Sequence, residues 1–253
     1  MFPMKRRATI LDMVQQEKMM KLPILVERLG VSMETLRRDI AVLVEEGAVE
    51  KVYGGIKLKE EPLGESLIEQ RLHHALPEKK QIATYCRSLI QEGDCIYLDS
   101  GSTTLQLAHL LQDVQRLTVV TNSLPIVMAL MHTEIEVLLI GGKLRRSEQS
   151  ITTYDFLFNF DQLTIHKAFI CASGVSLEKG VSDYSLEEAT TRKKMIEIAT
   201  HTYLMVDHSK FERDVFVHIA PLSAFDTIIT DEQLEDATYE TYVDAGVSLH
   251  RAT

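Results

Sequence analysis

Ser32-Met33-Glu34-Thr35-Leu36-Arg37-Arg38-Asp39-Ile40-Ala41-Val42-Leu43 decides how the rest of the chain is read. Ser32 is an N-cap residue, because its hydroxyl can accept from a free backbone N–H of the first turn. Met33, Leu36, Ile40 and Leu43 follow at spacings of three and four and form one apolar stripe. Arg38 lies opposite the stripe, with Glu34 and Ala41 near it, and Thr35 and Arg37 on the flanks. The exposed face thus carries hydroxyls and two guanidinium groups on the N-terminal half of a helix. Arg forks can pair with guanine edges or phosphates, and hydroxyls can hold phosphates.

Upstream, Pro23 opens a helix that Gly30 ends, and Gly30-Val31 is a turn short enough for a helix-turn-helix. A first helix is predicted over Arg6–Gln16, with Ile10, Leu11 and Val14 on one face. Downstream, Ala48–Tyr53 and Ile56–Lys59 flank Gly54-Gly55, two glycines that suit a tight hairpin turn. This hairpin would be a wing, with Lys51 and Lys57 available for phosphates.

Charge divides the chain in the same place. Net charge is −10, yet residues 1–58 carry +2 and residues 59–253 carry −12. An acidic body with a slightly basic head permits nucleic-acid binding by the head alone. Cys86, Cys95 and Cys171 are odd in number and lack close Cys/His spacing, which predicts reduced thiols, no disulfide and no metal site. No apolar run is long enough to span a bilayer, and no signal peptide follows the basic start, so a cytoplasmic protein is expected.

Residues 59–76, with Pro62, Gly64 and mixed charges, read as a linker that ends in a short helix, Ser66–His74. Pro77 opens a helix reaching Ile90. Beyond it, strands at Cys95–Leu98, Leu117–Thr121, Val137–Ile140, Ala168–Ala172, Tyr203–Val206 and Thr227–Thr230 alternate with helices. The helices include Thr104–Leu111, Leu124–Met131 and Leu186–Ala199. Near-continuous apolar strands separated by helices imply a mostly parallel sheet covered on both faces. Ligands of such sheets bind at the carboxyl ends of strands. Those ends are polar here: Asp99-Ser100-Gly101-Ser102-Thr103-Thr104, Asn122-Ser123, Gly141-Gly142-Lys143, Ser173-Gly174 and Asp207-His208-Ser209-Lys210. Each turn alone could merely connect a strand to a helix. Five on one edge suggest a ligand cleft, with Lys210 and Lys143 adding charge for an anion. His73-His74 lacks acidic or Cys partners, and His208 lacks a nucleophile to pair with.

The chain resembles the DeoR family of bacterial regulators over nearly its whole length. The match runs through Val31-Ser32-Met33-Glu34-Thr35-Leu36-Arg37-Arg38-Asp39-Ile40, Gly47, Tyr53-Gly54-Gly55, Arg71, Lys80 and Ile82-Ala83. It continues through Asp99–Thr104, Thr121-Asn122-Ser123, Gly141-Gly142, Glu188-Ala189 and Asp207-His208-Ser209-Lys210-Phe211. The resemblance implies an α/β chain: an N-terminal winged helix-turn-helix domain (1–58), the linker (59–76) and a C-terminal α/β sensor domain (77–253). The sensor would be a mostly parallel sheet similar to sugar-phosphate isomerases. Implied partners are a double-stranded DNA operator, a phosphorylated sugar effector and further copies of the chain, as dimer or tetramer. Ser32, Thr35, Arg37, Arg38 and, on the wing, Lys51 would face DNA. Asp99, Gly101, Ser102, Thr103, Thr104, Asn122, Gly142 and Lys210 would line the effector cleft. No cofactor and no catalytic residue are implied. Thr152-Thr153-Tyr154 and Glu212 stand where the family commonly has Gly, and Tyr53 where His is frequent.

Two other classes compete. An isomerase carrying an added N-terminal module would use Glu187 or Glu188 with Asp207, but no acid/base pair can be placed by spacing. A protein-interaction adaptor would use the winged domain for protein contacts and bind no DNA. Regulation of a sugar catabolic operon, as a repressor, is the reading carried forward.

Overall fold

The computed structural model describes residues 3–17, 19–45, 49–58, 66–153 and 163–253, in two units: Met1–Ser66 and Leu67–Thr253.

In the first unit the helices are α1 (Pro3–Glu17), α2 (Leu22–Leu29) and α3 (Met33–Glu45). The apolar stripe of α3 packs as its spacing requires: Leu36, Ile40 and Leu43 are buried with Ile10 and Val14 of α1 and Leu25 of α2. Gly30 ends α2 in the left-handed region at φ 62, where a side chain would be strained. Arg6 of α1 donates to both carboxylate oxygens of buried Asp39, at 2.5 and 3.2 Å, and so fixes α1 to α3.

The wing is β2 (Val49–Val52) paired with β3 (Gly55–Leu58). Val52 faces Gly55, so the two-residue turn is Tyr53-Gly54 rather than the two glycines. Gly54 takes φ 75. Gly55 is needed for another reason: a Cβ there would stand 2.4 Å from the Met20 carbonyl oxygen. That close approach admits β1 (Met19–Lys21), which pairs with β3 and was not read from the sequence. Ala48 and Lys59, placed in the wing by sequence, lie outside the described residues, as do Gly47, Pro62, Gly64 and Tyr154.

The second unit begins with α4 (Ile68–His73) and α5 (Leu76–Ser88). Residues 67–76, read as the end of a linker, belong to this unit: Ile68 is buried and its N–H donates to the Ser147 carbonyl at 2.9 Å. Next come β4 (Cys95–Leu98), α6 (Ser102–Ala108), β5 (Thr118–Thr121), α7 (Leu124–Leu130), β6 (Glu136–Leu139), β7 (Lys143–Arg145) and β8 (Ser150–Thr152). They are followed by β9 (Ile165–Ile170), β10 (Gly174–Ser176), β11 (Gly180–Asp183), α8 (Leu186–Ile198) and β12 (Ala199–Met205). The unit ends with β13 (Val217–Ala220), β14 (Thr227–Thr230), α9 (Asp236–Asp244) and β15 (Leu249–Arg251).

A seven-stranded sheet has the order β15-β14-β12-β9-β4-β5-β6, with every pair parallel. Alternate residues bury opposite faces. Ile96, Leu98, Val119, Phe169 and Met205 pack with α5, α6 and α7. Tyr97, Val120, Ala168, Ile170 and Leu204 pack with Ala189 and Met195 of α8 and Tyr242 of α9. An antiparallel sheet, β10-β11-β13, and the β7–β8 hairpin complete the unit. From β4 the chain builds outward through β5 and β6, then returns to lay β9 on β4's other side. The gap between the carboxyl ends of β4 and β9 is therefore the switch point at which open parallel sheets bind ligands.

Candidate functional sites

The first site is the exposed face of α3. Ser32 caps the helix, its Oγ accepting from Thr35 N–H at 3.2 Å and lying 2.9 Å from the Thr35 hydroxyl. Ser32, Glu34, Arg37, Arg38 and Ala41 are exposed and Thr35 is half-buried. Arg38 donates to Glu34 at 2.5 Å, an i,i+4 pair exposed on both sides. Lys51 is exposed on β2, whereas Lys57 of β3 pairs with Glu50 at 2.9 Å. Thus the five residues assigned to DNA stand on α3, at its N-cap and on the wing, four of them exposed and Thr35 half-buried.

The second site lies at the switch point. Asp99, directly after β4, is fully buried. One of its oxygens accepts from Ser100 N–H at 2.8 Å and Tyr97 Oη at 3.2 Å. The other accepts from Cys171 N–H at 2.9 Å and Arg192 Nε at 2.6 Å. Asp99 therefore ties the ends of β4 and β9 together. Asn122, after β5, is buried too: its Oδ1 accepts from Tyr97, and its Nδ2 donates to the Ile151 carbonyl and Glu188.

Gly101 precedes α6 in extended backbone, φ −159, so conformation does not demand glycine there. Space does, because a Cβ would fall 2.5 Å from Cys171 Sγ. Thr104 turns inward and donates to the Asp99 carbonyl at 2.6 Å. Ser102 and Thr103 are nearly buried, and their hydroxyls make no hydrogen bond among the described residues. Gly142, at φ 156, passes so close to β8 that a Cβ would meet the Thr152 carbonyl oxygen at 2.4 Å. Thr152 itself donates towards Glu187 at 3.2 Å. Glu212 stands at φ 54, a conformation that favours glycine.

Cations gather beyond β12. Lys210 is half-buried on a single 3-10 turn, His208–Lys210. Lys79 of α5 is only 3% exposed, and its ammonium donates to the carbonyls of Arg71 at 2.7 Å and His74 at 2.6 Å. Burial pulls its pKa down to about 8. Asp207 opposes that fall, and the charges of Lys210 and Arg71 add to it. Asp207 is buried, which by itself raises its pKa, but Lys210, Lys79, the Ser209 hydroxyl and His74 together hold it below the usual carboxylate range. His208 Nδ1 lies 2.9 Å from Asp231, a contact that raises the histidine's pKa.

Three contributors stand outside the effector set assigned from sequence, Glu188 having been named only in the family match and as a candidate of the isomerase alternative. Lys79 shares its helical face with Ile82, Ala83 and Cys86, so the spacing did place it inside. Arg192 joins Asp99 to Asp183, at 2.6 and 2.7 Å. Glu188, one turn earlier on α8, accepts from the Ser100 hydroxyl at 2.9 Å and the Ser150 hydroxyl at 2.5 Å. Burial raises its pKa, against the pull of Arg192 and the Ser150 hydroxyl. α8 turns these charged residues inward, which blurs any apolar stripe. A separate open cleft of about 580 Å³, lined by Leu177, His218, Phe225 and Val247 among others, includes none of the candidate residues.

A reading head on a winged helix-turn-helix, joined to a parallel-sheet unit with a polar switch point, defines a ligand-responsive DNA-binding protein. Comparison with known proteins gives the family. Residues 6–61 match the DeoR-like helix-turn-helix domain and residues 74–232 the DeoR C terminal sensor domain. The chain belongs to the DeoR family of transcription regulators. It is 33% identical to the HTH-type transcriptional regulator IolR of Bacillus subtilis, over 88% of this chain and 89% of that one. It is 29% identical to the glycerol-3-phosphate regulon repressor of Escherichia coli, covering 90% of each. A ribose 5-phosphate isomerase from Methanocaldococcus jannaschii is 19% identical over 54% of this chain and 55% of its own, with a TM-score of 0.41. No described helix is long and apolar enough to cross a membrane.

Proposed function

We propose that this regulator represses a sugar catabolic operon in the cytoplasm, and that a phosphorylated sugar bound at the sensor's switch point relieves the repression. The observation that carries this reading is the set of donors there. Ser102 and Thr103 offer hydroxyls with no hydrogen-bond partner among the described residues, and Lys210 and Lys79 both act on one buried carboxylate, Asp207, with Arg71, which pairs with Glu148, close enough to lower the Lys79 pKa. Such a site suits a dianionic phosphate, which accepts hydrogen bonds and donates few. Gly101 makes room for Cys171 beside it, which sets the start of α6 against the end of β9. Asp99, Asn122 and Gly142, whose surroundings are already filled, act as positioning residues. The names of relatives that regulate a glycerol-3-phosphate regulon or an aga operon agree with a sugar-linked role.

On the DNA side, Arg37 and Arg38 read bases, with Ser32, Thr35 and Lys51 on phosphates. A head of charge +2 neutralises few phosphates, so we propose that two copies read two half-sites. The test is a thermal-shift series with pentose and hexose phosphates against their unphosphorylated sugars. A phosphate at 100 times its Kd stabilises the folded state by about 2.7 kcal/mol. Equal shifts from sugar and sugar phosphate would overturn the phosphate site.

A further inference from the structure

The face of α3 turned away from its core carries a carboxylate beside Arg38. Relative to the buried stripe of Leu36, Ile40 and Leu43, the residues that point directly away are Glu34, Arg38 and Ala41, all exposed. Arg37 and Thr35 stand to either side. A carboxylate brought against a phosphate backbone is repelled unless a cation or a hydrogen-bond donor meets it. In the free protein the cation is Arg38, which donates to Glu34 at 2.5 Å. If that pair persisted on DNA, the arginine best placed to read a base would be spent on its neighbour. Separating the pair strands Glu34 unless the groove supplies a donor.

The major groove supplies two such donors, the amino groups of cytosine and adenine, and a carboxylate accepts from cytosine N4. Four residues along a helix advance about 6 Å, less than two base steps of 3.4 Å each. We propose that Glu34 is a specificity-determining residue: it accepts from the amino group of a cytosine lying within two steps of a guanine read by Arg38. Sites without that cytosine leave Arg38 tied to Glu34, so the pair discriminates against wrong sequences as well as favouring the right one. This inference rests on the proposal that α3 binds DNA. It assigns Glu34 more than the helix support that an acidic residue in a first turn, or an i,i+4 ion pair, gives.

The test is selection from a random duplex library by the full chain, in parallel for wild type, Glu34→Gln, Glu34→Ala and Arg38→Ala. Glu34 is exposed, and circular dichroism verifies that each variant is folded. Wild type should enrich a site with cytosine near guanine. Glu34→Gln should move the cytosine preference to adenine, because Gln pairs with adenine N6 and N7. Glu34→Ala should flatten that single position by roughly tenfold while retaining the guanine, and Arg38→Ala should lose the guanine. The salt slope of Glu34→Ala on random duplex should steepen by about 1, since Arg38 is then free for a phosphate. The same enriched site from wild type, Glu34→Gln and Glu34→Ala would overturn the role of Glu34 and leave DNA binding intact. Failure of wild type to enrich any duplex would overturn both.

Discussion

Lys79 offers the sharpest check on the chemistry of the sensor. Its ammonium is buried against the Arg71 and His74 carbonyls, and burial holds its pKa at about 8. In an unfolded chain a lysine titrates near about 10.4. Below about pH 8 the residue is protonated in both states, and folding bears the whole cost of burying the charge. From there up to about 10.4 the unfolded chain binds more protons than the folded one, so stability rises with pH. A separation of roughly 2.4 pH units corresponds to about 3 kcal/mol over the full window. About 1 kcal/mol of it falls between pH 7.5 and 9, or roughly 2–4 °C in the melting of a unit this size. Lys79→Met should abolish that rise. The absolute stability of the variant is not the readout, because two hydrogen bonds go with the amine. Calorimetric unfolding of wild type and variant at the two pH values isolates the lysine. The same pH response in both proteins would refute the placement of a charged Lys79 in a desolvated pocket. Phosphate bound nearby should draw the pKa back up, so binding at pH 8 should take up protons, measurable by titration in buffers of different ionisation enthalpy.

Arg38→Ala should weaken operator binding by about 1–3 kcal/mol, the value of a base contact, and leave the melting temperature unchanged because the side chain is exposed. Gly101→Ala should destabilise the sensor by about 1–3 kcal/mol through overpacking against Cys171, and Cys171→Gly in the same chain should restore most of it, as thermal denaturation will show. Arg192→Met leaves the Asp99 and Asp183 carboxylates buried without their cation. A loss of about 3–5 kcal/mol is expected in urea unfolding. Thr103→Ala with Lys210→Ala should abolish binding of the sugar phosphate in calorimetry and preserve operator affinity; unchanged sugar-phosphate affinity would place the site elsewhere.

Much of this was legible because the elements concerned are long and periodic. The stripe of α3 buries as its spacing demands, and the apolar runs that became β4, β5, β9, β12 and β14 were each bounded by polar turns. What escaped was decided by partners rather than by local pattern. β1 has three residues and one buried side chain, Met20, and exists because Gly55 leaves room on β3. β15, Leu249-His250-Arg251, is half-buried and polar, and is a strand only by virtue of β14 beside it. In the site, the polar strand ends were read correctly as neighbours along one edge. Their internal partners were not legible: Asp99 and Asn122 hydrogen-bond to Arg192, Tyr97 and Glu188, which lie far off in the sequence or, for Tyr97, on the strand itself. Lys79 was not singled out, although position 79 falls on the face of Ile82 and Cys86; Lys80, named in the family match, is exposed.

The central claim is that phosphate at the switch point of the sensor governs DNA binding by the head. Fluorescence anisotropy of the full chain on its operator duplex tests it most directly, with titration by a sugar phosphate identified in the thermal-shift series and by the matching free sugar. The sugar phosphate should release the DNA from wild type but not from the Thr103→Ala, Lys210→Ala double variant, and the free sugar should release neither. Release by the free sugar, or equal release from the double variant, would contradict the account.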